Sequence, residues 1–271
     1  MEMITPGRKG PLLPVALVTG ASSGIGRALA GAFAGMGNHL LLVARSADRL
    51  AGLSRELQAA HGVSVFCCPA DLAQQESPQR IFDYCTRHHL SVRLLVNCAG
   101  TSRASDFSDL AFEDIERIMQ VNMSAAARLA RLFIPGMAAE RDGAVINIAS
   151  LGGLQGVPGL GLYSATKSFM ITLGEALHME LRGTGVKVVT VCPGFVDTGF
   201  MESSGHDRRG VRLPVRSVDV VVRAVLRGYR QNRMRVYPTI LDFLVIFSQR
   251  FVSRHFSVRL SGYLAAARNN R

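Results

Sequence analysis

Short hydrophobic runs alternate with stretches of helical spacing along most of the chain. The runs are nearly continuous in apolar residues, which is typical of strands that are buried on both faces of a sheet. We predict six such strands, at residues 15–19, 39–44, 63–68, 92–96, 144–149 and 186–192. The stretches between them predict helices at 25–36, 50–60 (with Ser46 as the cap), 74–88, 112–120, 125–137 and 163–182.

This alternation predicts a doubly wound parallel sheet that is flanked by helices on both faces, an α/β fold. No linker, internal repeat or low-complexity segment divides the chain. We therefore expect a single domain over residues 14–236, preceded by a tail at 1–13 and followed by an extension at 237–271. Within the domain, Ser217 caps an amphipathic helix that runs to Gly228, and residues 233–237 can form a last strand.

Composition narrows the class of protein. Of the 271 residues, 48% are apolar and 19% are charged, so a sizeable core can be buried and global disorder is excluded. No apolar run reaches the roughly 18 residues that a membrane-spanning helix needs. Residues 1–10 lack the apolar region of a secretory signal, and we therefore expect a cytoplasmic protein.

The five cysteines are an odd number without a CxxC pair. Four of them lie in or next to apolar runs, which indicates buried, reduced thiols rather than a disulfide framework. The spacing of cysteines and histidines matches no metal site, so no metal is expected.

The net charge of +11 arises entirely in the last quarter of the chain. Residues 203–271 contain 14 arginines and three aspartates, whereas basic and acidic residues balance in residues 1–202. Anionic lipid, an acidic protein and nucleic acid are candidate partners, and a solvated arginine-rich surface is the alternative. The chain carries no recognisable nucleic-acid recognition motif, so we do not expect nucleic acid.

A glycine-rich turn follows the first predicted strand and precedes the first helix. It reads Thr19-Gly20-Ala21-Ser22-Ser23-Gly24-Ile25-Gly26. Glycines at this place allow a tight turn and a close approach of backbone to a pyrophosphate, which the helix N-terminus then attracts. The alternative is a tight connection without a ligand.

Together with four further segments, this turn resembles the short-chain dehydrogenase/reductase family in its classical form. The segments are Asp71-Leu72, Asn97-Cys98-Ala99-Gly100, Ser150 with Tyr163-Ser164-Ala165-Thr166-Lys167, and Pro193-Gly194-Phe195-Val196-Asp197-Thr198. The resemblance covers roughly residues 14–200 and implies a Rossmann-like fold with a bound nicotinamide dinucleotide. Cys98 departs from the family, which usually has a second asparagine or another small residue there.

Arg45 indicates which dinucleotide binds. An acidic residue at the end of the second strand would bind the ribose 2′-hydroxyl of NAD, whereas an arginine there would pair with the 2′-phosphate of NADP. The strand ends at Arg45, and the nearest acid, Asp48, falls inside the next helix. We therefore expect NADP(H), with Ser22 as an added hydroxyl contact; the alternative is that Arg45 is an exposed surface charge.

The resemblance implies roles for the remaining cofactor segments. Asp71 and Leu72 would flank the adenine, and Asn97, Ala99 and Gly100 would lie along the adenosine side. The nicotinamide end would be lined by Pro193, Gly194, Val196 and Thr198. The pyrophosphate turn would be formed by Gly20, Ser22, Ser23, Gly24, Ile25 and Gly26.

Tyr163 and Lys167 lie four residues apart and share one face of a helix. Carbonyl reduction needs an acid for the developing alkoxide, and a nearby cation should lower the pKa of a tyrosine from about 10. The resemblance implies that Tyr163 is the acid or base and that Lys167 also binds the nicotinamide ribose. It implies that Ser150 binds the substrate carbonyl and that Asn122 holds a water in the proton relay.

The segments that flank this centre are largely apolar, with Phe195, Phe200 and Met201 in a predicted lid at about 195–216. An apolar lining fits a lipophilic carbonyl compound; alternatively, these residues pack the lid itself. The extension combines the apolar segment 240–247 with Arg250, Arg254 and others, as an interfacial helix does. Peripheral membrane contact, a cap on the cleft and a subunit contact all remain open.

We therefore expect an NADPH-dependent short-chain reductase that acts on a lipophilic ketone or secondary alcohol. Candidate substrates are long-chain 3-keto lipids of the sphingoid-base type and hydroxysteroids, met at a membrane surface. A dinucleotide-binding regulatory protein without turnover is the alternative of another class, although it would not need the proton donor Tyr163. The broadly apolar helix 163–182 permits a homodimer or homotetramer.

Overall fold

A computed structural model describes residues 11–266. Within this range, seven parallel strands form one sheet in the order β3-β2-β1-β4-β5-β6-β7. The strands are β1 Leu13–Thr19, β2 His39–Ala44, β3 Val65–Pro69, β4 Leu90–Asn97, β5 Gly143–Ile148, β6 Val186–Val191 and β7 Arg235–Val236. The order reverses direction between β1 and β4, which is where doubly wound folds bind ligands.

Helices cover both faces of the sheet. They are α1 Gly24–Ala34, α2 Ala47–His61, α3 Ser77–Arg87, α4 Phe112–Met119, α5 Ala125–Ala139, α6 Gly161–Glu180, α7 Phe200–Ser203, α8 Val218–Arg230, α9 Ile240–Ser248 and α10 Arg254–Ala265. One apolar core joins the sheet to α1, α2 and α8, and a second joins its other face to α3, α5 and α6. The predicted single-domain doubly wound fold is confirmed.

The structure places most element boundaries close to the predicted ones. It differs at the N-terminal tail, because Leu13 already belongs to β1 and its N–H donates to His89 O at 2.9 Å. Helix α3 begins at Ser77 rather than at 74, since Pro78 suits only a first helical turn. Residues 1–10 of the predicted tail, and Arg268 and Arg271 of the extension, lie outside the described residues.

The cysteines are all free thiols, as predicted. Cys68, Cys85 and Cys192 are buried, whereas Cys67 and Cys98 are only partly buried, so the expectation of full burial is wrong for two of the five. Among residues 11–266, no three His, Cys, Asp or Glu side chains are grouped so that they could hold a metal ion together.

Candidate active site

The glycine turn closes tightly between β1 and α1. Gly20 and Gly24 have φ angles of +67° and +51°, in the left-handed region that favours glycine. A Cβ atom on Gly26 would stand 2.3 Å from Gly20 O, so the helix can approach the turn only without a side chain there. The first turn of α1 holds no acidic residue, and the Ser23 side chain does not cap it. The N–H groups at this helix start are therefore open to an anion.

Thr19 organises the adjoining strand ends, and sequence reasoning did not assign it a role. Its hydroxyl donates to Val96 O at 3.1 Å and accepts from the N–H groups of Cys98 and Ala99 at 3.0 and 3.1 Å. These bonds join the end of β1 to the end of β4, and a Cβ on Gly20 would touch Ala99 at 3.0 Å. A buried threonine directly before a glycine turn was the available signal.

The segment after β6 faces the glycine turn. A Cβ on Gly24 would lie 3.1 Å from Thr198 Cγ2, and Val196 is buried and bridged to Arg216. The main chain of Pro193 accepts from Leu151 N at 2.9 Å, which ties this segment to the one after β5. Of the predicted nicotinamide-side residues, Thr198 thus lies against the glycine turn, whereas Pro193 and Gly194 lie against Leu151.

Of the residues predicted on the adenosine side, Arg45 and Asp71 are at least partly exposed, whereas Leu72 is buried. Arg45 is exposed directly after β2, and it forms no ion pair with any residue from 11 to 266. Asp71 accepts from Ala73 N at 3.1 Å and pairs with Arg117 at 3.3 Å. By contrast, Leu72 is buried in the core on the α3 and α5 side of the sheet.

The amide of Asn97 is directed inside the sheet. Asn97 is buried, and its Nδ2 donates to Asn147 Oδ1 at 3.0 Å on the neighbouring strand. Gly100, three residues on, stands beside Lys167 and Asn122, because a Cβ there would lie 3.4 Å from Lys167 Nζ and 3.6 Å from Asn122 Oδ1. The end of β4 therefore joins the dinucleotide side to the catalytic side.

Ser150, Tyr163 and Lys167 meet where β5 ends. Ser150 lies near enough to Tyr163 to lower the pKa of its phenol, and Ser150 Oγ accepts from Gly152 N at 3.1 Å. Lys167 is buried; its Nζ donates to Ile148 O at 2.9 Å and lies 5.7 Å from the centroid of the Tyr163 ring. Three residues that are separated along the chain thus form one cluster at the carboxyl edge of the sheet.

The expected lowering of the tyrosine pKa is not found. Desolvation raises the pKa of Tyr163 to about 12, although the nearby Ser150 hydroxyl acts in the opposite direction. Burial likewise lowers the pKa of Lys167 to about 8, against the opposing influence of the nearby Cys98 and Cys192 thiols. Burial therefore dominates both pKa values, and it holds the phenol in its proton-donating form at neutral pH.

Asn122 lies in a π-helical turn, residues 120–124, between α4 and α5. Its Oδ1 accepts from Thr101 N at 2.8 Å, and its Nδ2 donates to Thr101 O at 2.8 Å and to Thr166 Oγ1 at 3.0 Å. Thr166 directly precedes Lys167 on α6. The Asn122 side chain therefore ties the segment after Gly100 to the helix that carries the tyrosine and the lysine.

Phe200 packs against Tyr163, with a ring separation of 5.7 Å. It begins α7 within the predicted lid at 195–216. This segment is joined to α10 by hydrogen bonds from His206 to Ala265 O at 2.7 Å and from Arg212 N to Leu264 O at 2.9 Å. Phe195 and Val157 pack with Ala265 as well, so part of the apolar lining serves the packing of the lid, the alternative that the sequence left open.

Comparison with known proteins gives the family. The family model described as short chain dehydrogenase matches residues 14–209. The chain belongs to this family. Members are oxidoreductases that act on alcohol or ketone groups, and this chain is an oxidoreductase of that type.

Similar proteins cover different shares of this oxidoreductase. It is 30% identical over 269 residues to epidermal retinol dehydrogenase 2 of Mus musculus, covering 97% of this chain and 86% of that protein. It is 37% identical over 204 residues to glycine betaine reductase ATRR of Emericella nidulans, 75% of this chain, but it spans only 16% of that longer protein. A structure of a short-chain dehydrogenase from Sphingobium yanoikuyae in complex with NADPH is 33% identical, with a TM-score of 0.79 over 88% of this chain and 95% of that chain.

Proposed function

We propose that this oxidoreductase uses NADP(H) to reduce the carbonyl group of a lipophilic compound, or to oxidise the corresponding secondary alcohol. The observation that carries the proposal is the cluster of Ser150, Tyr163 and Lys167 at the edge of the sheet that the glycine turn also reaches. A proton donor beside an anion-binding turn is what carbonyl reduction by a dinucleotide requires.

The residues present fit a dinucleotide. The glycine turn leaves the N–H groups of α1 open, and the short distances around Gly24 and Gly26 describe a cradle that side chains would fill. Arg45 is exposed and forms no ion pair within residues 11–266, so it suits the 2′-phosphate of NADP, and no acid stands at the end of β2 in its place. The similar dehydrogenase of Sphingobium yanoikuyae was solved with NADPH, which agrees with this assignment.

A bound reduced nicotinamide would supply the hydride to the carbonyl carbon. The chain itself handles the oxygen: Ser150 Oγ and Tyr163 Oη bind it, and Tyr163 gives up its proton as negative charge develops. The Lys167 ammonium, one turn along α6 from Tyr163, stabilises the phenolate that remains. Asn122 acts through its contacts with Thr101 and Thr166, which position α6 and with it Lys167. Its Oδ1 also lies near Gly100, where we propose that it holds a water of the proton relay.

A lipophilic substrate is favoured by the apolar surroundings of the tyrosine. Phe200 contacts the Tyr163 ring, and its neighbour along α7, Met201, is buried. The similarity over 97% of the chain to a retinol dehydrogenase, which is named for a lipophilic alcohol, points the same way. Long-chain 3-keto lipids of the sphingoid-base type and hydroxysteroids are the classes we would test first.

A regulatory dinucleotide-binding protein without turnover is the second candidate, because its fold and glycine turn would be the same. The grouping of Ser150 and Lys167 around Tyr163 favours the enzyme, since a binding protein needs no proton donor at that place. We propose a homodimer or homotetramer as the assembly, because α6 carries apolar residues broadly and can serve as a subunit contact.

Tyr163→Phe tests the proposal directly. The substitution removes only the hydroxyl, so NADPH binding should stay within about twofold while turnover of a panel of long-chain 3-keto lipids, steroids and aromatic ketones falls at least about a hundredfold. Tyr84→Phe, on α3, is the matched control and should change neither. Turnover by Tyr163→Phe at the rate of the wild type would refute the mechanism, and NADPH binding without turnover by the wild type on every ketone would favour the regulatory protein.

Arg45→Asp tests the choice of cofactor. It should weaken NADPH binding by about tenfold or more and bring NADH binding closer to it, because the lost contact is a charge-assisted bond to the 2′-phosphate. Arg55→Asp, farther along α2, makes the same change of charge as a control. Equal affinities of the wild type for NADH and NADPH would contradict the assignment.

A further inference from the structure

The C-terminal extension packs by one side onto the segment 151–160 that follows Ser150. On α10, Ser261 Oγ donates to Gly156 O at 2.8 Å, and Gly262 touches Pro158 so closely that a Cβ would stand 3.0 Å away. Ile246 of α9 packs against the cluster that holds Leu151, and Gln249, directly after α9, bonds to Gln155. The two helices therefore cover the substrate side of the site, and their other sides face away from it.

These outward sides carry an inverted pattern of hydrophobic and polar residues. A helix at the surface of a water-exposed domain buries its apolar residues and exposes its polar ones. In α9, the one buried residue is Asp242, and in α10 the buried residues are Ser257, Ser261 and Ala265. The exposed residues of this region include Ile240, Leu241, Phe243, Leu244, Phe247, Phe251, Val252, Phe256, Leu260 and Tyr263.

The exposed aromatics form a continuous row rather than scattered contacts. The exposed rings of Phe243 and Phe247 on α9 and of Phe251 after it follow one another with centroid separations of 5.6 and 5.5 Å, and the partly buried Tyr237 ring lies 5.7 Å from Phe243. The guanidinium of Arg250 lies over the Phe247 ring at 5.6 Å. We call the outward sides of α9 and α10, from residue 240 to residue 263, the aromatic face.

The charge around the aromatic face has one sign. Arg250, Arg254 and Arg259 border it, and the single acid between residues 237 and 266 is Asp242, which is buried and held by Thr239 in a capping box. A second copy docked face to face would bring two such sets of arginines together without an acid from either aromatic face. An anionic lipid surface offers both an apolar layer for the aromatics and phosphates for the arginines.

We propose that the aromatic face docks on an anionic membrane surface and holds the substrate side of the site against the lipid. No helix among residues 11–266 is long and apolar enough to cross a bilayer, so the two helices would lie in its interface. Given the function proposed above, this placement lets a lipophilic ketone pass from the bilayer towards Ser150 and Tyr163 past the segment 151–160. The docking itself does not require turnover and is measured separately from it.

Vesicle sedimentation of the full chain tests the docking. Phosphatidylcholine vesicles with phosphatidylserine should carry down the wild type, and vesicles of phosphatidylcholine alone should carry down much less. Phe251→Ser with Phe256→Ser should weaken binding about tenfold or more, since both side chains are exposed (74% and 51%) and their loss removes apolar insertion without disturbing the core. The control pair, Phe107→Ser with Phe112→Ser, is exposed to a similar degree (65% and 81%) elsewhere and should change nothing.

A second pair of variants tests whether the arginines that border the aromatic face contribute to membrane binding. Arg250→Gln with Arg259→Gln should weaken binding to the anionic vesicles at low salt by about fivefold for each arginine. Arg223→Gln with Arg227→Gln, on α8, removes the same charge from a different exposed helix and should have a smaller effect.

Several results would overturn the proposal. It fails if wild type and the Phe251/Phe256 variant sediment equally, or if the wild type does not bind anionic vesicles. It also fails if light scattering shows that the Phe251/Phe256 variant dissociates an oligomer, because the face would then be a subunit contact. Turnover of a short, water-soluble ketone by the Phe251/Phe256 variant should equal that of the wild type. A loss of vesicle binding with intact turnover therefore separates the docking from the catalytic proposal.

Discussion

Replacing Gly26 with alanine should push α1 away from the glycine turn. The added Cβ would stand 2.3 Å from Gly20 O and 2.7 Å from Gly20 C, both backbone atoms. Ordinary contact begins at 3.4 Å, so the helix start and the turn must separate by roughly an ångström. Overpacking of this kind costs about 1–3 kcal/mol of folding free energy, partly offset by up to about 1 kcal/mol of helix propensity.

Gly31→Ala in the same helix is the matched control. A Cβ there would meet only Leu57 Cδ2, at 3.8 Å, which is an ordinary contact. It should therefore stabilise the protein by about 0.5–1 kcal/mol, because alanine is favoured over glycine inside a helix. Gly26→Ala and Gly31→Ala make the same chemical change in α1, two and seven residues after its first residue. The structure nevertheless predicts opposite signs for their effects on stability.

Thermal unfolding and NADPH titration measure the two consequences. For a chain of this size, each kcal/mol shifts the unfolding temperature by about 2–4 °C, so Gly26→Ala should unfold earlier and Gly31→Ala slightly later than the wild type. Movement of the N–H groups at the start of α1 should weaken NADPH binding about tenfold in Gly26→Ala, whereas Gly31→Ala should bind as the wild type does. Equal stability and equal NADPH binding of both variants would refute this account of the turn.

Three further predictions concern the buried polar groups. Lys167→Met should raise stability at pH 7 by about 2 kcal/mol, because the shift of the Lys167 pKa from 10.5 to about 8 costs the folded state about 3 kcal/mol and Ile148 O loses a donor worth roughly 1 kcal/mol. In urea titrations this gain should be complete below pH 8. Between pH 8 and 10.5 it should fade, because there the lysine is neutral in the folded state and still protonated in the unfolded state. A gain in stability that does not change with pH would contradict the prediction. The initial rate of ketone reduction at saturating NADPH should fall above about pH 8 as Lys167 loses its charge, while the Tyr163 phenol stays protonated to about pH 12, and an undiminished rate at pH 10 would show that the charge is not needed. Thr19→Val, which keeps the shape but strips three hydrogen bonds from the ends of β1 and β4, should lower stability by about 1–3 kcal/mol, and an unchanged urea midpoint would deny its role.

Much of the fold and of the candidate site followed from local patterns. The apolar runs predicted six strands that the structure contains, because a strand buried on both faces must be apolar at nearly every position. The spacing of Tyr163 and Lys167 placed both on one side of α6, and the glycine turn was located between β1 and α1. These features depend on the repeat of a helix or strand and on the glycine backbone, which short stretches of sequence carry in full.

Tertiary structure decided what depends on residues that are distant along the chain. The expected acidity of Tyr163 was reversed by desolvation, which is a property of everything packed around the phenol and not of the lysine four residues away. The bonds of Thr19 to the end of β4 and of Asn122 to Thr101 join separate segments. The pairing of α9 and α10 with the segment 151–160 is of the same kind. Helical periodicity specifies which residues share a side, whereas only the assembled domain specifies which side is covered.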